Sequence, residues 1–204
     1  MNPVTKKVVK QRTFQDGTVL NEVANEDNSL AYKQVKKITE NGLEIATKNE
    51  DGSVSETIMN VASKQLIQKV EISAPDPETG HVSKVTTDAN QNENTEVKDA
   101  SGSIVSKKTR TKLNQGTFEE IEFDANDTPL IKTTIETQSD GKVKATKLDV
   151  NTNAVLQIST TETTNTGAVK ETITDANNNI LETIEEQRKT ESIFLIKSFW
   201  RLNS

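Results

Sequence analysis

Asn126-Asp127-Thr128-Pro129-Leu130-Ile131-Lys132-Thr133-Thr134-Ile135-Glu136-Thr137-Gln138-Ser139-Asp140-Gly141 reads as a turn, a strand and a second turn. Between Ile131 and Thr137, apolar or Thr positions alternate with charged or Thr ones, the pattern of a half-buried β-strand. The Asp140-Gly141 pair reaches positive φ cheaply and is expected to close a two-residue hairpin. Asp16-Gly17, Asn41-Gly42 and Asp51-Gly52 read the same way.

Working outward from this unit, the turn residues form two interleaved series. One holds Gly17, Gly42, Gly116, Gly141 and Gly167, with missing members expected near Lys64-Gln65 and Gln91-Asn92. The other runs through Asp27-Asn28, Asp51-Gly52, Thr79-Gly80, Ser101-Gly102, Asn126-Asp127, Thr152-Asn153 and Asn177-Asn178. Each series repeats at roughly 25 residues, which predicts about seven copies of a two-strand unit. Val4 to Phe14 reads as the second strand of an incomplete first unit, giving about fifteen strands. After each turn of the second series an apolar residue recurs, namely Leu30, Val54, Val82, Ile104, Leu130, Val155 and Ile180. That position is expected to mark where each strand enters the buried face. No segment carries a helical apolar stripe for more than one turn, and Asn, Thr and Gly interrupt every candidate.

The expected fold is therefore all-β, an elongated antiparallel hairpin meander, with a β-solenoid as the alternative. Composition favours the meander. Hydrophobic residues are 31% of the chain and aromatics 3%, too few to fill a solenoid interior along strands such as Val105-Ser106-Lys107-Lys108-Thr109-Arg110-Thr111.

At Thr174-Asp175-Ala176-Asn177-Asn178-Asn179-Ile180-Leu181 and Phe123-Asp124-Ala125-Asn126-Asp127-Thr128-Pro129-Leu130, the chain resembles the RHS/YD repeats of bacterial surface and toxin proteins. That family's tyrosine before the aspartate is Thr174 or Phe123 here. In its Lys/Glu/Thr-rich, aromatic-poor character the chain also resembles the single-layer sheets of borrelial outer-surface lipoproteins. Either resemblance implies a scaffold or surface role.

The 25 basic and 31 acidic residues, with a net charge of −6, are spread evenly. No basic face for nucleic acid is expected. No run reaches the length of a membrane span, and Met1 to Val9 lacks the apolar core of a classical signal peptide. The expectation is a chain cytoplasmic as synthesised or part of a phage-like or surface assembly. There is no cysteine, which excludes disulfides, zinc-thiolate sites and cysteine nucleophiles.

The pattern D-x-N-x-[NT] occurs at Asp88/Asn90/Asn92, Asp124/Asn126/Thr128, Asp149/Asn151/Asn153 and Asp175/Asn177/Asn179. Alternating oxygen ligands begin a Ca²⁺ loop, yet the sixth-position glycine is missing and only the Asp175 loop has a twelfth-position glutamate, Glu186. The competing reading is that Asp and Asn cap their own turns. His81 is the single histidine, so triads and His clusters are unavailable. Glu119/Glu120 and Glu185/Glu186 are paired carboxylates without an expected cleft. Thr-rich runs such as Ser159–Thr164 are too irregular for a hydroxyl lattice and reflect β-propensity.

Residues 1–190 are assigned to the β-repeat domain and 191–204 to an apolar, aromatic C-terminal segment containing Phe194, Phe199 and Trp200. It reads as a cap on the last strand, a docking or oligomerisation segment, or a tail from an interrupted reading frame. The function expected is a non-enzymatic structural or interaction module of a surface, fibre or phage-like assembly. Its partners would be proteins or glycans, or further copies through the sheet ends or C-terminal segment. The alternative is a calcium-binding adhesive repeat.

Overall fold

A computed structural model describes residues 8–186. The strands are β1 (Val8–Thr13), β2 (Val19–Ala24), β3 (Leu30–Thr39), β4 (Gly42–Asn49), β5 (Val54–Met59), β6 (Leu66–Ile72), β7 (Val82–Asp88) and β8 (Glu93–Lys98). They continue as β9 (Ile104–Asn114), β10 (Thr117–Phe123), β11 (Pro129–Thr137), β12 (Val143–Asp149), β13 (Val155–Thr163), β14 (Val169–Thr174) and β15 (Ile180–Glu186). All 15 lie in one sheet in chain order, each antiparallel to the next. This is the expected meander, and consecutive antiparallel pairing overturns the solenoid alternative.

Because direction reverses at every turn, the two turn series end up on opposite edges of the sheet. The gaps in the glycine series are filled as expected: Lys64 and Gln91 hold φ of 59° and 68°. Asn28, Asp127, Asn153 and Asn178 take the same left-handed role in the other series.

The turn type differs from the expectation. Phe14 N–H donates to Thr18 O at 2.8 Å and Gly17 N–H to Phe14 O at 3.0 Å, so three residues, Gln15 to Gly17, lie in the loop. The loops opening at Asn25, Asn49, Asp88, Asp99, Asp124, Gln138, Thr164 and Asp175 carry the same bonds. Each is a tight turn followed by one left-handed residue. Only the glycine of an Asp-Gly pair has positive φ, which leaves the aspartate free to cap a later N–H. In the Asn41-Gly42 case the loop is Glu40-Asn41, and Gly42 already pairs with Thr39.

The recurring apolar position also departs from its expected role. Val54, Val82, Ile104 and Val155 are half-buried, but Leu30, Leu130 and Ile180 are 44%, 45% and 68% exposed. A β-bulge lies at each of the three exposed positions and also at Ile104 and Val155. Ala24 opposes Leu30 while Val23 opposes Tyr32, so two residues face one. The same slip occurs at Lys98 in β8, Phe123 in β10, Leu148 in β12 and Thr174 in β14. At five of the seven copies the position therefore marks a bulge.

Each strand touches only its immediate neighbours in the sheet. The chain exposes 14975 Å², against about 9,500 Å² for a compact protein of its mass. Among the described residues the buried apolar ones are Val23 and Ala168, and no large side chain is fully enclosed. Stability therefore comes from ladder hydrogen bonds and opposed side-chain pairs, worth roughly 0.2–1 kcal/mol each. Lys37–Glu44 at 2.9 Å and Lys33–Glu22 at 3.8 Å are such pairs. Both are directly opposed across strands.

Candidate interaction surfaces

Register assigns the two faces. One carries the row Leu20, Val35, Ala46, Glu56, Val70 and Thr86, each opposite the next. Mid-sheet on the other face, Glu120 is 9% and Thr133 7% exposed. Glu120 sits 3.5 Å from Lys108 Nζ and 3.7 Å from Arg110 Nε. The Arg110 guanidinium lies 4.2 Å from the Phe118 ring centroid. At 3.7 Å the Arg110 contact is one of charge, and Nε makes no hydrogen bond among the described residues. Lys132 also meets Glu119, on the face opposite Glu120.

The D-x-N-x-[NT] loops turn inward on their own backbone. Asp124 Oδ1 accepts N–H from Asn126 at 2.8 Å and Thr128 at 2.9 Å. Asp175 Oδ1 does the same with Asn177 and Asn179, and Asn179 Nδ2 donates to its Oδ2 at 2.7 Å. Asp149 Oδ1 accepts from Asn151 and Thr152, while Asn153 supplies the left-handed residue. Asn92 is doubly engaged: Nδ2 donates to Asp88 Oδ2, and Oδ1 accepts the N–H of Lys112. Glu186 opposes Val169 at the far end of β15 from the Asp175 loop, so the sequence spacing does not converge in space. Among the described residues no three His, Cys, Asp or Glu side chains gather as a metal-binding group.

These bonds hold the loop carboxyls below the usual 3.8. At Asp16, Asp76, Asp88, Asp124 and Asp149 the leading cause is a backbone N–H, from Thr18, Thr79, Asn92, Thr128 and Thr152 respectively. At Asp27, Asp51, Asp99 and Asp175 it is a side-chain donor, from Ser29, Ser53, Ser101 and Asn179. A depressed carboxyl contributes stability that is present above its unfolded value and lost as pH falls through its folded value. The melting temperature is therefore expected to hold near neutrality and fall progressively below pH about 4. A melting series from pH 7 to 2 checks this, and a flat profile contradicts it.

Adjacent residues of a strand face opposite ways, so Glu119/Glu120 and Glu185/Glu186 cannot flank one bond. His81 is half-buried, its N–H held by Thr79 Oγ1 at 3.2 Å. Thr160, Thr172 and Thr183 stand directly opposite one another across three strands, an alignment the sequence reading missed. The rank ends at Lys144. Phe194, Phe199 and Trp200 lie outside the described residues. An open notch of ≈ 590 Å³ lies between Ala89–Asn92 and Thr111–Gln115.

The bulges create the most distinctive surface. Each leaves one extra residue unpaired, and in β9, β11, β13 and β15 that residue is Val105, Leu130, Leu156 and Leu181. They are 43%, 45%, 44% and 62% exposed, at one position in alternate strands, on one face along one edge. Phe123 and Leu148 lie between them. No protein-family model and no curated protein matches this chain. The stripe thus has to be read on its own geometry. A signal for it was present in the sequence: two adjacent apolar residues after the turn, such as Val155-Leu156, interrupt the alternation. Among the described residues no helix is long and apolar enough to cross a membrane.

Proposed function

We propose that this chain is a non-enzymatic structural or interaction module of a surface, fibre or phage-like assembly, in keeping with its resemblance to RHS/YD repeats. It binds protein or glycan partners along its extended faces, or further copies through its sheet ends. The bulge stripe carries this reading: a spaced row of exposed Leu and Val on one face, bordered by Lys107 and Lys132, is the composition of a contact surface. Fifteen strands at ~4.8 Å give a ribbon roughly 70 Å long, a shape suited to display and spanning.

Glycan-array binding and light scattering over a concentration series test it together. Saturable binding or particle growth is expected, with Leu130→Ser and Leu156→Ser weakening binding and leaving the β circular dichroism intact. A chain that neither binds nor associates overturns the reading. The calcium-adhesive alternative uses loops whose carboxylate oxygens already accept N–H donors. Millimolar calcium is expected to leave the melting temperature unchanged, and a rise would bring that alternative forward.

A further inference from the structure

We infer that copies of this chain join head to tail, with β15 of one pairing antiparallel with β1 of a second copy that is turned over. This rests on the self-association reading above and gives it a geometry. Among the described residues β1 and β15 end the sheet, and no strand pairs with their outer sides. Each therefore presents a row of backbone N–H and C=O groups, a template for another strand.

Charge selects the pairing. β1, Val-Val-Lys-Gln-Arg-Thr, carries Lys10 and Arg12 and no acid. β15, Ile-Leu-Glu-Thr-Ile-Glu-Glu, carries Glu182, Glu185 and Glu186 and no base. None of the five takes part in an ion pair among the described residues. Joining like edges sets cation against cation or carboxylate against carboxylate, which is destabilising. Joining unlike edges sets opposite charges across the junction. The contact is then heterologous and does not close on a dimer.

Register selects the orientation. Lys10 already faces Glu22, and Glu185 faces Lys170. The charges that face no opposite charge are Arg12, which faces Leu20, and Glu182 and Glu186, which face Ile173 and Val169. Following the opposed pairs across the sheet, Arg12 stands on the opposite face from Glu182 and Glu186. With 15 strands in the meander, an odd number, β1 and β15 run in the same direction. An antiparallel junction therefore requires the next copy to rotate by half a turn about the long axis of the sheet, which exchanges its faces. The same rotation brings Arg12 to the side of Glu182 and Glu186. Strand direction and charge thus call for one operation.

Sedimentation velocity on the full chain tests this. Wild type is expected to grow with concentration past the dimer without a plateau, and less so at high salt. K10E/R12E and E182K/E186K are each expected to associate about tenfold more weakly or worse. An equimolar mixture of the two is expected to recover growth, because each reversed edge then meets its complement. Far-UV circular dichroism confirms that each variant keeps its sheet, and neutral K10Q/R12Q, expected to be intermediate, serves if a reversal does not. Association that stops at a dimer, or variants that associate like wild type, overturns the head-to-tail junction and leaves self-association standing. A wild type that stays monomeric throughout overturns both.

Discussion

Thr133→Pro is expected to open the middle of the sheet while its far end stays folded. Thr133 is 7% exposed and is opposed by Glu120 on one side and Lys147 on the other. Proline there removes a ladder donor and sets its ring against a neighbouring strand, at a cost of about 3 kcal/mol or more. In a protein with a shared core that loss would spread everywhere. Here each strand contacts only its neighbours, so the energetics follow a one-dimensional chain of nearest-neighbour terms. Amide exchange is expected to accelerate by about a hundredfold or more across β10–β12 while β1–β6 keep their protection. Uniform loss of protection would show a cooperativity that the contacts do not explain.

Gly42→Ala is expected to be the most damaging glycine substitution. Gly42 sits at φ +134, and a Cβ there would lie 2.4 Å from the carbonyl oxygen of Met59. Backbone strain and a backbone clash coincide, so we expect a loss of about 2–4 kcal/mol in urea unfolding. Gly141→Asn is the control. Its φ is +82, and a Cβ added there would meet nothing within 4 Å, while Asn28 and Asn178 already hold that conformation in sister loops. It is expected to change stability by less than about 0.5 kcal/mol. Equal losses at both sites would mean that left-handed conformation alone sets the cost.

Strand number, strand order and the edge at which each turn falls were legible because turn chemistry is local. An Asn or Gly that must adopt positive φ advertises itself, and even Lys64 and Gln91 could be placed by period alone. Loop length was misread because Asp-Gly serves two turn types, and only the closing pair, such as Phe14 with Thr18, separates them. Misreading the loop hid the bulges, and with them the stripe of Val105, Leu130, Leu156 and Leu181. Cross-strand partners such as Arg110 with Glu120 depend on register summed over successive loops, which composition does not encode. In the aspartate loops, capping and calcium binding draw on the same Asp and Asn positions. The donors that Asp124 meets are backbone N–H groups common to every sequence, and at Asp149 the Thr152 hydroxyl only adds to two such groups, so residue types alone left little to separate the two.

The meander also fixes how the molecule answers a pull. Its first and last strands stand at opposite ends of the ribbon, so tension applied between them runs across the strands, along the direction of their hydrogen bonds. Loaded this way, a ladder parts from one corner, bond after bond, instead of resisting as a block in shear. Each hairpin would release its length at low force and re-form when the load falls. Tethered between two bodies, such a ribbon behaves as a shock absorber that lengthens in steps, and not as a strut.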